Sequence, residues 1–82
     1  MAKAKVLIVE DEKIMQESLR DWLTEDGFEV ATAGDGEQAL EIIGREEFGV
    51  VVLDLKLPGR DGVEVLKEAR TKRPDLKAII IT

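Results

Sequence analysis

Residues 50–62 read VVVLDLKLPGRDG. Four apolar residues of strand type, Val50 to Leu53, run straight into a carboxylate, Asp54. A Pro58-Gly59 turn signal follows, and Asp61-Gly62 then opens a helical pattern. An apolar run without polar alternation suits a strand buried on both faces, as parallel sheets flanked by helices require. An acid at the carboxyl end of such a strand stands where open α/β sheets hold their ligands. The same acid would also serve merely to end a strand in water. The flanking segments decide between the two.

Working outward, residues 6–9 (VLIV) form a second continuous apolar run, ended by Glu10, Asp11 and Glu12. This is read as β1 and residues 50–53 as β3. Between them, Met15, Leu19, Trp22 and Leu23 recur at helical spacing and are expected to form the buried face of a first helix, α1. Gly27 is placed to stop it. Residues 28–32 (FEVAT) alternate, as an edge strand β2 would. Asp35 and Gln38 have the spacing of a helix cap with a reciprocal partner, and Ala39, Leu40 and Ile43 supply the apolar face of α2 up to Gly44. Residues 45–49 are expected to be a loop. Beyond β3, Asp61 and Glu64 repeat the cap signal, and Val63, Leu66 and Ala69 are expected to line the buried face of α3. Lys72 and Arg73 suit the negative end of that helix, and Pro74 cannot continue it. Residues 77–82 (KAIIIT) form β4.

The order β-α-β-α-β-α-β implies a parallel sheet with helical crossovers. If the sheet reverses direction after its first unit, the spatial order is 2-1-3-4. The crevice between β1 and β3 is then the switch point at which such doubly wound folds bind ligands. Glu10, Asp11 and Asp54 converge there. Like charges this close raise one another's pKa unless a cation neutralises them. An oxygen-lined site short of positive charge suits Mg²⁺, which takes one or two carboxylates and keeps several waters.

Composition sets the outer limits. Eighty-two residues make one small domain, 1–82, with little core to spare. The chain has neither cysteine nor histidine, so any metal should be a hard cation held by oxygen. A net charge of −6 argues against a nucleic-acid-binding surface. Only four apolar residues follow the charged start before Glu10, too few for a signal or membrane segment. A soluble, cytoplasmic protein with no membrane partner is expected.

With VLIVEDE, VVVLDLKLPGRDG and KAIIIT in place, the chain resembles the receiver domain of bacterial two-component response regulators. The resemblance covers essentially all 82 residues and implies a flavodoxin-like fold lacking its last helix-strand-helix portion. It implies that Asp54 accepts a phosphoryl group from a sensor histidine kinase. Glu10, Asp11, Asp54 and the backbone carbonyl of Lys56 would hold Mg²⁺, and Thr82 would contact the phosphoryl group. The family places a lysine after a fifth strand that these residues do not include, so acceptor activity is expected to be impaired.

Two other classes stay open. A haloacid-dehalogenase-like enzyme would also form an aspartyl phosphate, but expects a second Asp where this chain has Lys56. A truncated or engineered receiver fragment would have self-assembly as its main property. With α1 alone on one face, β3 and β4 are expected to expose apolar side chains and to form a homodimer through that region.

Overall fold

The computed structural model describes residues 4–59 and 61–81. Four parallel strands, β1 (Lys5–Val9), β2 (Glu29–Ala33), β3 (Val50–Asp54) and β4 (Lys77–Ile81), form one sheet in the order β2-β1-β3-β4. The crossovers are α1 (Lys13–Glu25), α2 (Gly36–Arg45) and α3 (Gly62–Lys72). The expected α/β doubly wound topology is the one observed. No helix among the described residues is long and apolar enough to cross a membrane.

The register assigns the two faces. Val6 and Ile8 pair with Val50 and Val52, while Leu7 and Val9 pair with Val51 and Leu53. Leu7, Val9, Val51 and Leu53 join Ala39, Leu40 and Ile43 of α2 and Val65 and Ala69 of α3 in the larger core cluster. Val6, Ile8 and Val52 pack on the other side with Leu19 and Leu23 of α1. Both central strands are buried on both faces, so their apolar runs have no polar alternation.

The element ends follow local chemistry. Gly27 (φ 96°) ends α1, with its N–H donating to the Thr24 carbonyl and the Phe28 N–H to the Leu23 carbonyl. That pair of bonds is the Schellman arrangement, and Phe28 and Leu23 share the same apolar cluster, as the motif favours. At α2, the Asp35 carboxylate accepts from the Gln38 N–H at 2.8 Å, while Gln38 Oε1 accepts from the Gly34 N–H at 2.8 Å. The expected reciprocal cap is therefore present, shifted by one residue.

Three expectations are corrected. Met15 and Trp22 are 44% and 70% exposed, because α1 sits alone on its face and turns residues 16, 19 and 23 toward the sheet. At 3.6 residues per turn, Met15 and Trp22 lie roughly a quarter-turn from that stripe. In α3, Val63 is exposed and Val65 is buried, with Leu66 between the two states. Gly62 is pressed against Leu55 and so fixes which stripe of α3 faces inward. Finally, β3 is not bare, since Val52 is only 9% exposed; exposure concentrates on β4, at Ile79 (54%) and Ile80 (41%). Three residues assigned to loops, Phe48, Leu57 and Leu76, belong to the larger core.

Candidate functional site

Pairing of Val9 with Leu53 brings the next residues, Glu10 and Asp54, side by side at the carboxyl ends of β1 and β3. Glu10 continues toward β2 through its N–H, which donates to the Ala33 carbonyl at 3.0 Å. Glu10, Asp11 and Asp54 each present a carboxylate oxygen, all within 4.8 Å of one another. Exposure is graded across the trio: Glu10 is buried at 4%, Asp54 is half-buried and Asp11 is exposed. The crevice thus has one acid in its wall and two at its mouth. The three acids expected from the sequence are brought together.

Glu10 is the one buried charged side chain among the described residues. Burial pushes its carboxyl above the usual carboxylate range, the neighbouring Asp54 and Asp11 push it further, and the hydrogen bond from Glu12 opposes them. That Glu12 N–H donates to Glu10 Oε2 at 3.2 Å. Asp54 is oriented from its own turn, its Oδ1 accepting from the Lys56 N–H at 2.9 Å. Lys56 is exposed, and its backbone follows Asp54 by two residues in the same turn. The Leu55 N–H donates to the Ile81 carbonyl at 3.2 Å, which ties the turn to β4. Thr82, the remaining expected site residue, lies outside the described residues.

Two residues matter here that the sequence did not single out as site residues. Gly62 opens α3 directly against the turn that follows Asp54. A Cβ there would lie 2.8 Å from Leu55 Cα and 3.0 Å from the Asp54 carbonyl oxygen. Gln16 donates from Nε2 to the Glu10 carbonyl at 2.8 Å and to the Ala33 carbonyl at 3.3 Å. The expected inward face of α1, set at Met15, Leu19, Trp22 and Leu23, offered no signal for it.

Three acidic oxygen donors with no nitrogen or sulfur ligand among them suit a hard divalent cation rather than a transition metal. The donor set present therefore fits Mg²⁺.

Comparison with known proteins agrees with this geometry. The response regulator receiver domain family matches residues 6–82. The response regulator protein FleR of Pseudomonas aeruginosa is 39% identical over 79 residues, covering 96% of this chain and 17% of that protein. A CheY-like response regulator receiver domain protein of Methanospirillum hungatei superposes with a TM-score of 0.93 at 34% identity, over 98% of this chain and 63% of that one. The response regulator protein TrrA of Thermotoga maritima, solved in complex with Mg²⁺-BeF, superposes with a TM-score of 0.89 at 38% identity, over 95% of this chain and 68% of that one. The chain thus spans less than two thirds of the Methanospirillum protein and a small part of FleR. It belongs to the response regulator receiver domain family.

Proposed function

We propose that this chain is a phospho-acceptor of two-component signalling, with Asp54 the residue that takes the phosphoryl group. The observation that carries the reading is the half-buried Asp54 carboxylate among two further acids within 4.8 Å, at the switch point of a doubly wound sheet. Glu10, Asp11, Asp54 and the Lys56 carbonyl would hold Mg²⁺, and Thr82 would contact the phosphoryl group. The likeness to a receiver complexed with Mg²⁺-BeF supports this assignment. The donor would be a phosphohistidine on a sensor histidine kinase.

The residues divide the work. The Lys56 N–H on Oδ1 fixes the rotation of the Asp54 carboxylate, so its nucleophilic oxygen is held in place before the donor arrives. That oxygen bonds to phosphorus while the bond from phosphorus to the donor nitrogen breaks, leaving an aspartyl phosphate. Held by these residues, a divalent cation would supply charge neutralisation for the transfer. Glu10, in the wall, adds negative charge that favours the cation. The exposed Asp11 lies at the open mouth of the crevice, where its carboxylate would be free to take part in holding the cation.

Titrating Mg²⁺ while following backbone amide shifts tests the reading. Saturable shifts centred on residues 10–12 and 54–56 are expected, with loss of saturation in Asp54→Asn. Shifts spread over the surface, or unchanged in that variant, would overturn it.

One observation favours a second property. Ile79 and Ile80 are exposed on β4, on opposite faces of an edge strand with no charge or proline between residues 78 and 81. Such an edge is suited to pairing with a second copy of the chain.

A further inference from the structure

We infer that Gln16 is a positioning residue for the acidic site, acting as a clamp between the two loops at its rim. The inference rests on the metal-site reading above. Glu10 and Asp11 stand on the segment between β1 and α1, and their charges repel each other and Asp54. Something must hold that segment in place. Backbone pairing does part of it, through the Glu10 N–H on the Ala33 carbonyl at 3.0 Å. Gln16 supplies the rest from the first turns of α1.

Its amide nitrogen serves two carbonyls at once, Glu10 at 2.8 Å and Ala33 at 3.3 Å. A carboxamide nitrogen has two hydrogens, so both bonds can be made together. The opposite orientation would set the amide oxygen against two carbonyl oxygens, so the amide has only one workable orientation. One partner lies immediately before Asp11 and the other ends β2, so the side chain bolts the acid-bearing segment to the loop leading into α2. That second loop is itself fixed, by Gln38 accepting from Gly34 and by Asp35 capping α2. Gln16, Asp11, Lys13, Thr32, Gly34 and Gln38 line one polar hollow of about 260 Å³ beside the acids. Gln16 is half-buried in its floor rather than free in solvent.

The clamp adds no charge, so Gln16 influences a cation only through where it holds Glu10 and Asp11. Residues that orient ligands in this way commonly contribute about 10–100-fold to metal affinity. Gln16→Met keeps length and neutrality and removes the donor. It is expected to weaken Mg²⁺ binding about tenfold. It should also accelerate hydrogen exchange at the Glu12 amide without metal, leaving exchange in β1 and the melting temperature nearly unchanged. Unaltered Mg²⁺ affinity would overturn the proposal. So would a loss of affinity that comes with general loss of protection in β1, since that marks a structural role only. If the unsubstituted chain shows no saturable Mg²⁺ response, the metal-site reading fails. The clamp is then judged by exchange at Glu12 alone, and unchanged exchange there overturns it.

Discussion

Glu10 is the buried member of the acidic trio. Its carboxyl is buried and faces Asp54, so its pKa lies above the ordinary carboxylate value. A carboxyl with a raised folded-state pKa binds its proton more tightly when folded. The stabilisation from that proton is fully present below the unfolded-state value of about 4.3 and is lost as pH rises through the folded-state value. At neutral pH, above the unfolded-state value, this carboxyl therefore opposes folding. Glu10→Gln keeps the acceptor for the Glu12 N–H and removes the charge. Calorimetric scans should show a higher melting temperature for this variant near neutral pH and a converging one at about pH 4. Mg²⁺ should raise the melting temperature of the unsubstituted chain at neutral pH and have a smaller effect on the variant. A variant less stable than the parent at neutral pH without metal would contradict the assignment.

Among the elements, α3 and α1 show what a small feature decides. Gly62 has backbone atoms of Asp54 and Leu55 where a side chain would begin. Gly62→Ala should push α3 off the turn that follows Asp54 and cost about 1–3 kcal/mol by urea denaturation, as overpacking commonly does. A loss within about 0.5 kcal/mol, the range of ordinary surface changes, would show that the turn yields freely. Trp22 makes the opposite case. It is 70% exposed, so its emission should resemble that of tryptophan in water, and Trp22→Ala should cost well under the ~3–5 kcal/mol of a buried aromatic. A strongly blue-shifted emission would place it in a packed environment instead.

The same two helices mark how far the sequence could be read. Strand identity and order were legible because an apolar run without alternation, ending in acid, fits a central parallel strand far better than a helix or a loop. So was the meeting of Glu10, Asp11 and Asp54, which follows from strand order alone. The inward stripe of α3 was not, because Val63, Val65, Leu66 and Ala69 support two overlapping stripes. The choice is made by contact between Gly62 and Leu55, residues of different segments. Trp22 was misplaced because helical spacing cannot tell whether an apolar residue meets a partner layer. Gln16 was not legible either, since the expected inward face ran through Met15 and Trp22 and its two acceptors come from separate segments that only the fold brings together.

For the molecule as a whole, the helix layers are unequal. Two helices cover one face and α1 alone covers the other, over β1 and β2. Ile79 pairs in register with the buried Val52, yet remains 54% exposed at the edge of the sheet. Such an edge strand is expected to drive self-association of the 82-residue chain at micromolar to millimolar concentration. Sedimentation velocity across that range should show mass rising with concentration. Ile79→Lys should shift the population toward monomer at a stability cost within about 0.5 kcal/mol. A single monomeric species throughout, in both proteins, would defeat this expectation and leave the acceptor reading intact.

The acceptor reading itself is tested most directly by intact-mass analysis after incubation with a small acyl phosphate and Mg²⁺. Because acceptor activity is expected to be impaired, slow and partial labelling is expected, mapped to Asp54, dependent on the cation, removed by hydroxylamine as an acyl phosphate should be, and absent from Asp54→Asn. Phosphorylation that persists in Asp54→Asn, or that maps to a residue other than Asp54, would contradict it.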